Sequence, residues 1–304
     1  MLARIGELKR RKNAVILAHN YQIPEVQDAA DFVGDSLELS RKAAGLDADL
    51  IVFCGVHFMA ETAAVLAPGK TVLLPEAAAG CPMADMINGR ELRAWKERYP
   101  GLKVVCYINT SAEVKAESDI CCTSSNAVNV VLSLGVDEAL FVPDKNLAAW
   151  VARETGKKLI AWDGYCYVHH RFTPRDIQDA RALHPEAEVW AHPECPLDVS
   201  DLADKVLSTG KMIIEARTTS RREVIVATEK GILYRLGKEN PAVKFYPARE
   251  TALCAHMKMT TLAKVLRALE TGTHRVEVPP DVADRARGLK MKVMDPQGFT
   301  VASK

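Results

Sequence analysis

The sequence predicts an α/β chain of three homologous three-layer α/β/α domains, each built on a parallel sheet and set around a pseudo-threefold axis. Three observations predict it. Apolar, β-branched runs alternate with helix-like segments along the whole chain, the punctuation of parallel sheets covered by helices on both faces. The runs fall into three sets of three. Unrelated features also return at one spacing: Cys81, Cys166 and Cys254 are 85 and 88 residues apart, and the hydroxyl turns at Ser36, Ser124 and Ser208 are 88 and 84 apart. An internal repeat of domain size is the simplest source of such a period.

The first unit opens with AVILA (14–18), a run of the length and character of a strand buried on both faces. It ends abruptly in His19, Asn20, Tyr21 and Gln22. Pro24 then starts a helix at a first-turn position, where its missing N–H costs nothing, and Glu25 complements the dipole. A Gly34-Asp35-Ser36 turn leads into the helix LELSRKAAG, and DLIVFCG (49–55) and TVLLP (71–75) complete the set. The second set is KVVCYIN (103–109), ALFVP (139–143) and KLIAW (158–162). The third is EVWAHP (188–193), EVIVAT (223–228) and VKFYP (243–247). Helix-like segments at 90–98, 144–155, 174–183 and 229–239 separate them. The implied domains are residues 1–82, joined by C-terminal helices within 259–304, then 83–167 and 168–258.

The first strands end in His19-Asn20-Tyr21, Tyr107-Ile108-Asn109-Thr110 and His192-Pro193-Glu194. A small hydroxyl turn follows each: Gly34-Asp35-Ser36, Thr123-Ser124-Ser125 and Ser208-Thr209-Gly210. The bland role for Ser36, Ser124, Ser208 and Thr209 is helix capping, worth about 1 kcal/mol each. Capping and anion binding are compatible, because the same amide cluster serves both. In open α/β sheets ligands sit at the carboxyl ends of strands, where all these groups lie.

At 304 residues the chain is too long for one ordinary core. Hydrophobic content of 48% with 26% charged residues describes a soluble globular protein. A net charge of +1 provides no field that argues for nucleic acid or an anionic membrane. The opening LARIGELKRRK is charged and amphipathic rather than a signal peptide, and no apolar run approaches a bilayer span. The expected location is the cytoplasm, which makes a disulfide framework from the eight cysteines unexpected. There is no C-x-x-C. Cys54 and Cys106 read as small buried hydrophobes inside strands, and Cys121 and Cys122 are unremarkable. That leaves Cys81, Cys166, Cys195 and Cys254 in turn-like surroundings. Third strands run into LLPEAAAGC, IAWDGYC and FYPARETALC, so one cysteine per unit arrives at the shared centre. Three thiolates there suit zinc with a water, or an iron–sulfur cluster with three protein ligands.

These residues also carry a resemblance. AHNYQ, PEVQD, ADFVGDS, FCGVHFMAET, GCPMA, YINTSAEVKA, CTSSNAV, PDKNLA, GYCYVH, HPEC, STG and ALCAHMK, in that order over residues 13–270, resemble the quinolinate synthase family. The resemblance implies a three-domain α/β protein with a central [4Fe–4S] cluster. It implies condensation of iminoaspartate with dihydroxyacetone phosphate to quinolinate, releasing phosphate and two waters, on the way to NAD. Functional coupling to an L-aspartate oxidase that supplies iminoaspartate belongs to the same expectation. The family's cluster ligands match at Cys81, Cys166 and Cys254. Its substrate-binding positions match at His19, Ser36, Tyr107, Asn109, Ser124, His192, Glu194 and Thr209, and Tyr21, Asp35, Met59, His169, Ser208, Gly210 and Met257 match the same pocket.

Three departures stand out. ALCAHMKMT holds only Cys254 where some relatives carry C-x-x-C-x-x-C, and position 57 is His where an acid is common. Cys195 matches the HPEC motif but is not a family ligand, so it is expected to be a thiol near the pocket, without iron. For chemistry, Glu194 and Tyr21 are expected to carry protons while His19 and His192 orient and polarise substrate oxygens. No Arg or Lys flanks HPECPLD, so the Glu194 pKa is expected to rise on burial.

Overall fold

The computed structural model describes residues 1–289. It contains three four-stranded sheets, every pairing parallel. The first sheet is β1 (Ala14–His19), β2 (Phe32–Gly34), β3 (Leu50–Cys54) and β4 (Thr71–Leu73). The second is β5 (Lys103–Tyr107), β6 (Ile120–Cys122), β7 (Glu138–Val142) and β8 (Lys158–Ala161). The third is β9 (Glu188–Ala191), β10 (Lys205–Val206), β11 (Glu223–Ala227) and β12 (Lys244–Pro247). The strand order is the same in each: β2-β1-β3-β4, β6-β5-β7-β8 and β10-β9-β11-β12. The three-layer α/β fold is therefore as expected.

Three strands exceed the nine expected. β2, β6 and β10 are edge strands of two or three residues, too short to show any periodicity in sequence. Each lies just before a hydroxyl turn and pairs with the first strand of its unit, bringing that turn beside the first strand's carboxyl end.

The central strands are buried on both faces, and the face each residue takes follows the period of two. Leu17, Ile51 and Phe53 face a cluster shared with Val105 and Phe141 of the second unit and Trp190 and Val224 of the third. Ile16, Ala18, Val52 and Cys54 face the other way, against Ile5 and Leu8 of helix Leu2–Arg11 and Val265 and Leu269 of helix Leu262–Thr271. Each buried aliphatic side chain stabilises by about 1.5–3 kcal/mol, and a one-residue slip would exchange the two faces, so packing sets the register. A small cluster joins Val282, Ala283 and Ala286 of helix Pro280–Gly288 to Val65 and Ala112, bridging the first and second units. Residues 290–304 of the expected C-terminal helical stretch lie outside the described residues. No described helix is long and apolar enough to cross a membrane.

The turns differ from the expected caps. Helix Ser36–Gly45 is capped by Asp35, whose Oδ1 accepts from the N–H groups of Leu37 and Glu38 at 2.9 Å each, while Glu38 accepts from the Asp35 N–H. Helix Thr209–Thr218 is capped by Ser208. Ser36 and Thr209 are thus first-turn residues. In the second unit Ser124 caps nothing; Asn126 Oδ1 accepts from the Thr123 N–H at 2.7 Å. The three turns then meet. The Ser125 hydroxyl donates to Asp35 Oδ2 at 2.9 Å and lies 2.8 Å from the Ser208 hydroxyl.

Gly210 closes this seam from the third unit, since a Cβ there would lie 2.5 Å from Asp35 Oδ2. Gly45, at the end of its helix, has open space around it. Gly210→Ala is expected to destabilise by about 1–3 kcal/mol, the usual scale of overpacking. Gly45→Ala should be neutral or stabilising. Thermal unfolding of the two variants checks this, and equal melting temperatures would show that the seam is not tight.

Candidate active site

The carboxyl ends of the first strands converge on one open cavity, with about 770 Å³ of atom-free space that includes its mouth. The first unit contributes His19, Tyr21, Asp35, Ser36, Met59 and Cys81. The second contributes Tyr107, Asn109, Ser124 and Cys166, and the third His169, His192, Glu194, Thr209, Cys254 and Met257. Two expected residues do not reach the lining. Ser208 is buried behind it as a cap, and Gly210 packs on Asp35. Cys195 is fully buried on the outer face of the third sheet, its thiol 3.5 Å from the Ala227 carbonyl, and does not line the cavity. His57 begins helix His57–Leu66 with its side chain half exposed, 3.8 Å from Glu61. His57 thus has the exposed helix-start place expected of it, whereas Cys195, expected near the pocket, is not among the lining residues.

The two strand-end histidines are held alike. The Tyr21 N–H donates to His19 Nδ1 at 3.1 Å, and the Glu194 N–H donates to His192 Nδ1 at 3.3 Å. With Nδ1 accepting, each neutral ring carries its proton on Nε2. Burial, with the nearby Lys258 cation, pushes the His19 pKa down to about 3. Burial, with His169 beside it, does the same to His192. Both rings are therefore neutral donors at ordinary pH.

Glu194 departs from its expectation. Burial alone would raise its carboxyl, but His169 and His192 and a hydrogen bond from Tyr107 outweigh it and hold the group below the usual carboxylate range. No Arg or Lys was needed nearby in sequence, because the partner comes from the preceding loop: His169 Nδ1 lies 2.6 Å from Glu194 Oε2, both groups buried. From there a chain of contacts leads to Tyr21. His169 Nε2 is 2.7 Å from Thr228 Oγ1, which is 2.6 Å from the Tyr21 hydroxyl. His169 also stacks on His192, ring centroids 4.5 Å apart.

Thr228 was missed by the sequence reading. It follows β11, and its counterparts after β3 and β7 are Gly55 and Pro143, so no repeat marks it; it is polar where the other two cannot be. Asp144 and Glu229, one residue further on, are acids in two units, but Val56 breaks the pattern in the first, and they too were missed.

The polar lining is incompletely satisfied. Asn109 Oδ1 is buried without a hydrogen-bond partner, and His169 Nδ1, although close to Glu194, has none in line. Unpaired buried polar atoms facing a cavity call for a polar ligand.

The three cysteines are free, partly buried thiols. Burial pushes Cys81 up to about 12, with the Cys254 charge adding to it. Burial and the Glu194 charge raise Cys166, which also feels Cys81, and burial raises Cys254. Thiols so disposed lose their protons to a metal rather than to water. Among the described residues, Cys166, His169 and Glu194 bring their ligand atoms within 4.8 Å of one another and could hold a metal ion. The three sulfurs do not close to that separation as a group. Three thiols, one from each unit, at one cavity fit a metal group.

The family model described as Quinolinate synthetase A protein matches residues 3–294. A quinolinate synthase from Dehalococcoides mccartyi is 60% identical over 285 residues, covering 94% of this chain and 94% of the relative. One from Methanoregula boonei is 57% identical over 283 residues, 93% and 94% of the two chains. One from Thermodesulfovibrio yellowstonii is 54% identical over 280 residues, 92% of each. With the repeat, the cavity and these matches in agreement, the chain belongs to the quinolinate synthase family.

Proposed function

We propose that this chain condenses iminoaspartate with dihydroxyacetone phosphate to quinolinate, with loss of phosphate and two waters, on the route to NAD in the cytoplasm. One observation carries the reading. Each of three sheets delivers one thiol and one set of strand-end polar groups to a single cavity, where Asn109 Oδ1 still lacks a partner. A [4Fe–4S] cluster would be held by Cys81, Cys166 and Cys254, with Cys195 left out. Bound there, it supplies Lewis acidity toward substrate oxygens at an iron without a protein ligand.

The chain's own residues do the rest. His19 and His192 present neutral Nε2–H donors that orient and polarise substrate carbonyl or carboxylate oxygens. Glu194, ionised, accepts a proton from a substrate C–H. His169 and Thr228 connect it to the Tyr21 hydroxyl, which gives a proton to a departing oxygen. Ser36 and Thr209, in the first turns of their helices, and Ser124 beside them offer hydroxyl and backbone donors to carboxylate or phosphate. Because iminoaspartate is unstable in water, an L-aspartate oxidase working alongside would supply it.

An anaerobic assay for quinolinate from the two substrates, after reconstitution with iron and sulfide, tests the whole reading, and absence of product from loaded protein would sink it. Replacing Cys81, Cys166 or Cys254 by Ser should abolish a full cluster in each case, whereas Cys195→Ser should keep wild-type iron content. Iron and sulfide analysis decides, and a Cys195 variant without its cluster would break the threefold assignment. Glu194→Gln should fold and load its cluster, yet turn over at least roughly 10²-fold more slowly, the scale of losing a general acid–base group. Near-normal turnover would remove Glu194 from the proton path.

A further inference from the structure

One position recurs after β3, β7 and β11 with different chemistry. It is Val56 in the first unit, Asp144 in the second and Glu229 in the third. Both carboxylates have no exposed surface, and each uses both oxygens on backbone N–H groups. Asp144 Oδ1 accepts from the Leu147 N–H at 2.7 Å, capping helix Lys145–Thr155, while Oδ2 accepts from the Cys166 N–H at 3.0 Å. Glu229 Oε2 accepts from the Gly231 N–H at 2.8 Å, and Oε1 from the Cys254 N–H at 3.1 Å. Two equivalent carboxylates thus hold the amides of two of the three cysteines that meet at the axis. A backbone bond two residues before the cysteine is common to all three units, from the His57 N–H to the Ala79 carbonyl at 2.8 Å, from Lys145 to Gly164 at 2.8 Å and from Lys230 to Ala252 at 2.9 Å; in the first unit Val56 adds no acceptor to it.

Glu229 does one thing more. The Lys258 ammonium lies 2.9 Å from its Oε1 and also donates to the carbonyl of Tyr21. The Cys254 loop and the Tyr21 turn are therefore clamped to the same carboxylate.

An N–H anchored at a cysteine fixes the peptide plane before it, and with it the direction in which Cα–Cβ leaves the chain. Beyond the backbone bond two residues earlier, it is the carboxylate that holds the Cys166 and Cys254 amides themselves. We propose that Asp144 and Glu229 are positioning residues for metal ligands, preorganising the Cys166 and Cys254 thiolates so that a cluster is captured and retained. Groups that orient metal ligands in this way govern metal affinity in many proteins. The inference rests on the cluster reading given above.

Asp144→Asn and Glu229→Gln keep size and shape. Each offers one carbonyl oxygen where two N–H groups need acceptors and turns an NH2 donor toward the other. Asp144→Ser retains an oxygen able to cap the Leu147 N–H but has no second oxygen for Cys166, and so guards against a folding failure. Anaerobically reconstituted wild type and variants would be exposed to an iron chelator, following iron release and the loss of cluster absorption. The Asp144 and Glu229 variants should release iron at least about 10-fold faster than wild type. Thr173→Ala, which removes a cap at a helix start outside the cavity, should melt lower yet release iron at the wild-type rate. That control separates ligand positioning from lost stability. Wild-type retention in both Asp144→Ser and Glu229→Gln overturns the proposal. Equally fast release from Thr173→Ala also overturns it. A wild-type chain that takes up no iron and sulfide overturns the cluster reading, and the proposal with it.

Discussion

A single hydroxyl, that of Ser125, ties the three units together at their common axis. It donates to Asp35 of the first unit and touches Ser208 of the third. Asp35 and Ser208 are helix caps, so the contact fixes the starts of two helices relative to one another. Beneath it the inner faces of all three sheets share one apolar cluster. A polar seam inside an apolar core is costly unless each group finds a partner. Where it does, it specifies one arrangement among the many that apolar packing alone would tolerate. Everything at the cavity follows from that arrangement, because the turns that meet at the seam adjoin the strand ends that carry the site.

The electrostatics of the cavity come from burial combined with directed backbone donors. An N–H two residues after each strand-end histidine points at Nδ1 and forces the ring proton onto Nε2. Desolvation disfavours a second proton, which leaves two neutral donors where protonated histidines would otherwise compete for Glu194. The carboxylate is instead stabilised by His169, which arrives three residues after Cys166. One short loop, GYCYVH, thus carries both the Cys166 thiol and the histidine that pairs with Glu194.

Pseudo-symmetry sets the positions, and divergence at equivalent positions supplies the chemistry. One site after the first strands holds Tyr21, Asn109 and Glu194. The sites after β3, β7 and β11 hold Gly55-Val56, Pro143-Asp144 and Thr228-Glu229. A scaffold repeated three times presents any one position to the centre from three directions, and each copy has taken a different side chain. A symmetric site would offer three identical groups to substrates that have no such symmetry.

The sequence by itself determined the fold class, the threefold repeat and the three cysteines, because strand periodicity, strand-end polarity and a fixed spacing are all local or self-comparing signals. It also placed His19, Tyr107 and His192 at strand ends, where β-strand alternation leaves little choice. It did not reveal β2, β6 and β10, since pairs and triplets of edge residues are stabilised by the neighbouring strand and not by their own pattern. Only the tertiary structure decided which turn residue caps and which faces the cavity, as with Asp35 against Ser36. It alone decided the charge of Glu194. A pKa is set by everything within a few ångströms, and His169 lies 25 residues away in the chain but 2.6 Å away in space. Thr228, Asp144 and Glu229 were illegible for the same reason: their partners, Tyr21, Cys166 and Cys254, are brought to them by the packing of loops and whole units, which no local pattern encodes.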